Sequence, residues 1–224
     1  MKKSEEIKAR ITAQGGSYFA NDNISAYVSD GELAELSVEV EGNVKALLQS
    51  LVIDVDNDHN TQDTARRVAK MFLREVFEGR YVPCPKVTDF PNAKKVDEIY
   101  VVGPITVRSA CSHHLAPIMG KAWVGVIPGE RVIGLSKFNR VAHWVMSRPQ
   151  IQEEAVVQLA DELEKRMQPM ALGVVVKATH FCGCWRGIKD QSEMTTSVMR
   201  GIFASDHTAK SELMEIIKGM SFHG

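Results

Sequence analysis

Cysteine and histidine are concentrated in two short segments of the chain, SACSHHLAP and THFCGCWRG. The six residues are Cys111, His113, His114, His180, Cys182 and Cys184. Zinc binds Cys thiolates and His nitrogens, and a Cys-x-x-His spacing lets both ends of one turn reach the same ion. Cys111, His114 and Cys182 are therefore candidate metal ligands. The other three residues are left as spare potential ligands.

The number of ligands separates a structural zinc site from a catalytic one. Four protein ligands, with Cys184 as the fourth, would complete a tetrahedron and favour a structural role. Three ligands leave one position for water, whose pKa then falls to about 7. A third interpretation is that these residues are scattered in the core and on the surface. Residue types and spacing alone leave all three interpretations open.

Each of the two segments follows an apolar stretch with the pattern of a β-strand. EIYVVGPITVRSA precedes the first segment and LGVVVKATHF leads into the second, while GKAWVGVIP and TTSVMRGIF predict two further strands. Helical spacing in SKFNRVAHWVMS, which Ser136 is predicted to cap, and in IQEEAVVQLADELEKRM predicts two helices between the strand pairs. TAKSELMEIIKG predicts a final helix. This order of elements is typical of the α+β class.

The N-terminal part of the chain lacks strand patterns. Residues 1 to 30 are polar and predict a flexible arm, and residues 31–94 predict a helical region. Apolar spacing places one helix within Glu32–Val55 and a second after a cap at Thr61 or Asp63. In the remainder, a four-stranded sheet would have two open edges, which favours closure with other copies of the chain.

Charge and hydropathy exclude several classes of partner. The chain has 27 basic and 28 acidic residues and a net charge of -1, so it lacks the electrostatic footprint of a nucleic-acid-binding protein. No apolar run approaches the roughly 18 residues that span a bilayer, and the N-terminus lacks the apolar core of a signal peptide. We therefore expect a cytoplasmic protein without a membrane or nucleic-acid partner, with its four cysteines reduced.

Five motifs stand in the order in which they occur in GTP cyclohydrolase I. They are CSHH, GKAWVGVIP, VIGLSKFNR, RPQIQEE and THFCGCWRG, and DTARRVAKM also resembles that family's N-terminal helical motif. The resemblance, from about Asp63 to the C-terminus, implies the tunnelling fold, a small antiparallel sheet with two helices on one side, over residues 95–224. It also implies an N-terminal helical extension, and a β-barrel ring of subunits, typically a decamer with active sites between subunits.

The resemblance implies a reaction and the residues that perform it. The family uses zinc and water to hydrolyse the imidazole ring of GTP, which releases formate and gives 7,8-dihydroneopterin triphosphate for folate or other pterin synthesis. The matched zinc ligands are Cys111, His114 and Cys182. The matched catalytic histidines are His113 and His180, and the residue that holds guanine is Glu153. Positions associated with the triphosphate are Ser136, Lys137, Arg140, Arg186 and Arg67.

Residue chemistry gives the base-binding role a physical reason. A carboxylate accepts hydrogen bonds from the adjacent N1–H and N2–H donors of guanine, a pair that adenine lacks. Without the resemblance, Glu153 is better explained as an acid in the first turn of a helix. Lys137 and Arg140 share a helix face, although surface charges of this kind are usually just solvated.

Two positions depart from the family pattern. Many members have Glu at the position of Ser112, and some have Lys at the position of Cys184, so a carboxylate and a positive charge are absent here. Two other functions are open to the same motifs. One is a tunnelling-fold enzyme acting on a pterin or deazapurine, and the other is a non-enzymatic module stabilised by zinc.

Overall fold

The computed structural model describes residues 2–221, which fall into two compact units divided between Pro83 and Cys84. The N-terminal unit is helical. Its helices are α1 (Lys3–Ala13), α2 (Asp30–Ser50), α3 (Thr64–Met71) and α4 (Glu78–Tyr81), with a π-helical turn at Phe72–Val76. The domain boundaries predicted after residues 30 and 94 stay predictions.

The N-terminal unit is held by a small apolar core and by charged contacts. Ile7 and Ile11 of α1 are buried in the same cluster as Leu33 of α2. Helix α2 begins with a capping box, in which Ser29 and Glu32 bond each other's backbone N–H groups. The Arg10 guanidinium and Ser29 together hold the pKa of Glu32 at about 2.

The predicted cap of the second helix is right in position for Asp63 but wrong in its side-chain hydrogen bond. Helix α3 begins at Thr64, so Asp63 occupies the capping position, but its side chain makes no capping hydrogen bond. The carboxylate instead lies 3.1 Å from Arg66 and 3.6 Å from Arg67. Two adjacent guanidinium groups therefore compete successfully with the backbone for this side chain.

The C-terminal unit contains a five-stranded sheet in the order β5-β2-β3-β6-β7. The strands are β2 (Tyr100–Cys111), β3 (Pro117–Ile127), β5 (Pro149–Gln150), β6 (Ala171–His180) and β7 (Glu193–Gly201). A separate antiparallel pair joins β1 (Asp89–Pro91) to β4 (Arg131–Ile133).

The four predicted strands are present and pair antiparallel, but the sheet is mixed rather than purely antiparallel. The fifth strand, β5, pairs parallel to the end of β2. This strand has two residues, one of them a proline, so it leaves no alternating pattern that a sequence could reveal.

Helices cover both faces of this sheet. Helices α5 (Leu135–Met146) and α6 (Gln152–Met167) pack on the face that carries Val174 and Val176 of β6. Helix α9 (His207–Ser221) packs on the opposite face, where Leu213 lies in one cluster with Val175. Successive residues of β6 point to opposite faces of the sheet, and both faces are buried. The strand is therefore continuously apolar in sequence.

Two short helices follow strands, α7 (Phe181–Cys184) after β6 and α8 (Ile202–Ser205) after β7. The prediction that Ser136 caps α5 is wrong, because α5 begins at Leu135 and Gly134 holds the capping position. The extended backbone of Gly134 starts the first turn, and its carbonyl accepts a hydrogen bond from the Lys137 N–H at 2.8 Å. None of the helices within residues 2–221 has the length and apolar character needed to cross a membrane.

Gly201 ends β7 in a conformation that only glycine adopts easily, and it provides a test of the sheet. Its φ is 58°, and an added Cβ would lie 2.1 Å from the Met170 carbonyl oxygen. We expect Gly201→Ala to lower the free energy of unfolding by about 1–3 kcal/mol. Chemical denaturation of the variant and the unaltered protein at equal concentration measures this change.

Gly42 in α2 is the matched control, because an added Cβ there meets no atom within 4 Å. Gly42→Ala should stabilise the protein by about 0.5–1 kcal/mol, the ordinary gain for a helix interior. If both variants changed stability in the same direction by similar amounts, the backbone constraint assigned to Gly201 would be wrong.

Candidate metal centre and active site

The two cysteine- and histidine-containing segments meet at one end of the sheet. Strands β2 and β3 form a hairpin, with Ala110 opposite Pro117, and Ile118 at the start of β3 lies opposite His180 at the end of β6. The hairpin loop and the β6–α7 junction are therefore neighbours, although about 70 residues of sequence separate them.

The hairpin loop is fixed by its own backbone. The Cys111 N–H donates to the Ala116 carbonyl, and the Leu115 N–H donates to the Cys111 carbonyl, each at 2.8 Å. Leu115 has a φ of 53°, which is uncommon for a residue with a branched side chain. The parallel strand β5 adds a third contact, from the Ser112 N–H to the Gln150 carbonyl at 3.2 Å. The turn that carries both histidines is thus tied to the sheet at its base.

Cys111, His114 and Cys182 form a compact donor group. Their ligand atoms all lie within 4.8 Å of one another, with Cys111 buried and His114 exposed. Tetrahedral zinc, with bonds of about 2.0–2.3 Å, needs ligand atoms about 3.5–3.8 Å apart. Two sulfurs and one imidazole nitrogen are also donors that zinc prefers. The residues present therefore fit a zinc ion, and the group includes neither His113 nor Cys184.

The charge balance of the donor group also favours a cation. Burial raises the pKa of the Cys182 thiol, and the neighbouring Cys111 raises it further. Two thiolates this close repel each other unless a positive ion lies between them. A divalent metal ion would supply that charge.

Cys182 lies in a helical turn, not in a strand. Helix α7 begins at Phe181, directly after the last residue of β6. Cys182 and Cys184 are therefore not alternate residues of a strand and do not share a strand face with His180. The turn brings Cys182 toward the hairpin without Cys184, and a four-ligand structural site is not assembled.

The two adjacent histidines of the hairpin differ in their surroundings. Their rings are perpendicular, with centroids 6.4 Å apart. His114 belongs to the donor group, and its Nε2 lies 3.1 Å from Nη1 of Arg186. Because a guanidinium only donates, Nε2 of His114 carries a lone pair in this arrangement. His113 is exposed and belongs to no donor group among the described residues.

His180 lies at the end of β6, next to the first turn of α6. Its Nε2 is 2.8 Å from Oε1 of Gln152. Burial lowers the pKa of His180, and the carboxylate of Glu153 opposes that shift. Glu153 is exposed and has no hydrogen-bond partner in the part of the chain that the structure describes. Gln152 has no sequence signal beyond its place in RPQIQEE, because an amide among first-turn acids is typical of a helix surface.

Two of the predicted triphosphate residues line a cavity elsewhere in the unit. The cavity has a volume of about 460 Å³ and lies between the start of β2 and the first turns of α5. Ser136 and Arg140 line it, and Asn139 joins them. Lys137 is directed elsewhere, with its Nζ 3.3 Å from the Lys86 carbonyl.

This cavity is far from the donor group of the same chain. Ile105, the residue of β2 in the cavity wall that is nearest to Cys111, is six positions from it, which is about 20 Å along an extended strand. That distance exceeds the reach from the base to the last phosphate of a nucleoside triphosphate. Of the four predicted phosphate residues in this unit, Arg186 lies at the donor group. Arg67 lies in the N-terminal unit, on α3.

The fold and the site define an α+β protein with a candidate metal centre built from two thiols and one imidazole. The chain matches the family described as GTP cyclohydrolase I over residues 40–218. It therefore belongs to the GTP cyclohydrolase I family of enzymes.

Individual relatives agree with this assignment. A GTP cyclohydrolase 1 from Aeromonas hydrophila subsp. hydrophila is 36% identical over 214 residues, covering 95% of each chain. Proteins of the same name from Actinobacillus pleuropneumoniae serotype 5b (strain L20) and Vibrio vulnificus (strain YJ016) are each 38% identical, over 181 and 182 residues. Each of these two alignments covers 80% of this chain and 83% of the relative.

The donor group predicts which substitutions remove metal. His114→Ala and Cys182→Ser should lower bound zinc well below one ion per chain, because only two ligands remain. His113→Ala and Cys184→Ser should retain zinc, because neither residue belongs to the group. Metal analysis of each purified variant measures these contents.

The two adjacent histidines are expected to differ in role, His114 in metal binding and His113 in catalysis. His113→Ala should slow turnover by about 10²–10⁴-fold while zinc stays bound, as expected for a lost proton-transfer group. Zinc loss from His113→Ala together with zinc retention in His114→Ala would reverse the two roles. Retention of zinc by both variants would bring His180 or Cys184 into the ligand set.

Proposed function

We propose that this enzyme uses zinc to hydrolyse the imidazole ring of GTP, with release of formate and formation of 7,8-dihydroneopterin triphosphate. The observation that carries the proposal is the donor group of Cys111, His114 and Cys182 with His180 and Glu153 at the same end of the sheet. Family membership supports GTP as the substrate and water as the second reactant.

Zinc would be held by the two thiolates and by His114, and three protein ligands leave a position open. When bound, the ion supplies Lewis-acid activation of water for attack on C8 of guanine. The exclusion of Cys184 from the donor group supports this catalytic reading over a closed structural site.

The two remaining histidines are proposed to move protons. Attack at C8 places charge on the ring nitrogens, and an imidazole nearby can protonate them as the C–N bonds break. His113 is next to a candidate ligand in the hairpin, and His180 is two residues before another, which supports a place for both near the reacting base. Histidine suits both directions of transfer because its ordinary pKa is about 6.5.

Glu153 is proposed to select guanine. Its carboxylate lies in the first turn of α6, close enough to His180 to act on that residue's pKa, and no described residue hydrogen-bonds it. The two oxygens are thus available for the N1–H and N2–H donors of the base. An adenine would leave the carboxylate without partners, and a site of this kind rejects such an analogue strongly.

The triphosphate is proposed to contact two chains. Arg186 lies beside the donor group, whereas Ser136 and Arg140 line the distant cavity. One GTP molecule can contact both places only if the cavity comes from a second copy. This distance supports active sites between subunits and gives Ser136 and Arg140 a role that one chain alone cannot use, whereas the role assigned to Lys137, which does not line the cavity, stays a prediction. The part assigned to Arg67 stays a prediction.

The sheet offers the edges for such an assembly. Strand β5 covers only Ala110 and Cys111 of β2, so residues 100–109 have a free edge among the described strands. Within residues 2–221, strand β7 pairs on one side, with β6. Free edges of this length are normally covered, and pairing β2 of one copy with β7 of the next would close a tunnelling-fold ring.

Formate release from GTP tests the reaction, and Glu153→Gln tests the base contact. The variant should lose most of its kcat/KM for GTP while zinc stays bound, because one guanine donor then faces an amide N–H. Glu154→Gln changes the neighbouring acid and is the matched control, with kcat/KM expected near that of the unaltered enzyme. Equal kinetics of all three proteins would show that Glu153 is an ordinary acid in the first turn of a helix, without a role in binding the base.

Assembly is tested by light scattering on the active enzyme. We expect a mass near ten chains, the decamer that the family resemblance implies, because the two sheet edges pair between copies. An active monomer would contradict both the edge pairing and the shared site.

A further inference from the structure

Gln152 is a buried amide with a partner for each of its polar atoms. It is the first residue of α6 and is 3% exposed. Its Nε2 lies 3.1 Å from the Val176 carbonyl, 3.2 Å from the Met194 carbonyl and 3.0 Å from Oγ1 of Thr196. Its Oε1 lies 2.8 Å from Nε2 of His180.

The two carbonyl groups determine which way the amide faces. A backbone carbonyl oxygen only accepts hydrogen bonds, so the atom facing Val176 and Met194 must be the NH₂ group. The flipped amide would place its oxygen against two other oxygens in a buried site, at the cost of unsatisfied polar groups. The oxygen of Gln152 therefore faces His180.

This orientation determines the proton arrangement on the histidine ring. An amide oxygen only accepts, so Nε2 of His180 must carry a hydrogen. In the neutral ring the lone pair then lies on Nδ1. Any proton that His180 accepts or returns during the reaction must pass through Nδ1.

We propose that Gln152 is a positioning residue, which holds the His180 ring in one orientation and in the tautomer that exchanges protons at Nδ1. The proposal rests on the role in proton transfer proposed above for His180. The NH₂ group of Gln152 is anchored to β6 and to β7, so the sheet sets the direction of the His180 ring. A metal-binding histidine commonly has such a supporting partner, and here a catalytic histidine has one.

A purely structural role for Gln152 makes a different prediction. A buried amide that only joins α6 to the sheet would affect stability and leave the His180 tautomer unchanged. Gln150 provides the comparison, because it is also buried and its Nε2 donates to the Val145 carbonyl at 2.9 Å and to the Met146 carbonyl at 3.2 Å. No hydrogen bond joins the Gln150 side chain to His180 in the described part of the chain.

The first measurement needs no substitution of Gln152. Nitrogen NMR of the ¹⁵N-histidine-labelled enzyme at mildly alkaline pH distinguishes the two neutral tautomers, and His180→Ala assigns the signal. We expect His180 to carry its hydrogen on Nε2. A hydrogen on Nδ1 would overturn the proposal even if every Gln152 variant failed to fold.

The second measurement compares Gln152→Met with Gln150→Met. Gln152→Met should lose the single tautomer and lower kcat by about 10–100-fold with little change in KM or zinc content, the usual effect of removing a supporting partner. Gln150→Met should lower the melting temperature but keep the tautomer and kcat. Equal loss of kcat in both variants, or an unchanged tautomer in Gln152→Met, would overturn the positioning role.

The proposed function and this proposal can fail separately. Absence of formate release by the unaltered zinc enzyme would overturn the proposed reaction, and the catalytic consequence of Gln152 with it. A formate-releasing enzyme whose His180 carries its hydrogen on Nδ1 would overturn the positioning role alone.

Discussion

The antiparallel register that sets Ile118 opposite His180 is the constraint on which the candidate site depends. It aligns the β2–β3 hairpin with the end of β6, so that a ligand pair from one loop meets a third ligand from a distant segment. A slip of one residue would turn every side chain of β6 to the opposite face. The residues that pack against α5 and α6 would then lie against α9, so the specific packing of both helix layers holds the register on which the candidate metal centre depends.

The same sheet also provides the hydrogen-bond acceptors that hold Gln152 next to the site. Val176 on β6 and Met194 and Thr196 on β7 accept hydrogen bonds from Gln152, which is the first residue of a helix lying across them. The start of α6 is thus attached to the strands by side-chain contacts as well as by apolar packing. This attachment also fixes the position of Glu153, the next residue of the helix. The carboxylate proposed to bind the base and the histidine proposed to transfer protons are therefore positioned by one buried amide.

Much of the fold follows from patterns that act over short distances. Alternating and continuous apolar runs predict the four long strands, and helical spacing predicts α5, α6 and α9, because burial determines these patterns directly. Strand β5 could not be predicted, since two residues carry no period. The helical turn α7 was also missed, because a glycine between two cysteines is compatible with either a strand or a turn.

Some residues of the candidate site could likewise be predicted from the sequence, and others could not. Residue types and spacing single out Cys111, His114 and Cys182, and the structure brings these three together. Spacing could not exclude Cys184, because that depends on the direction of the chain after His180. Gln152 could not be found either, because its importance comes from contacts to two strands that lie about 25 and 40 residues further along the chain. Such contacts exist only after the sheet has formed.

The separation between the cavity at α5 and the donor group has a genetic consequence if the sites are shared. A chain lacking a metal ligand and a chain lacking Arg140 would each be inactive alone, yet together they would form some interfaces with both intact halves. Two defective alleles could then complement each other in one cell. Conversely, a single defective allele would disable part of the sites that normal chains contribute to. The gene would thus show both complementation and dominance, depending on which half of the site a lesion alters.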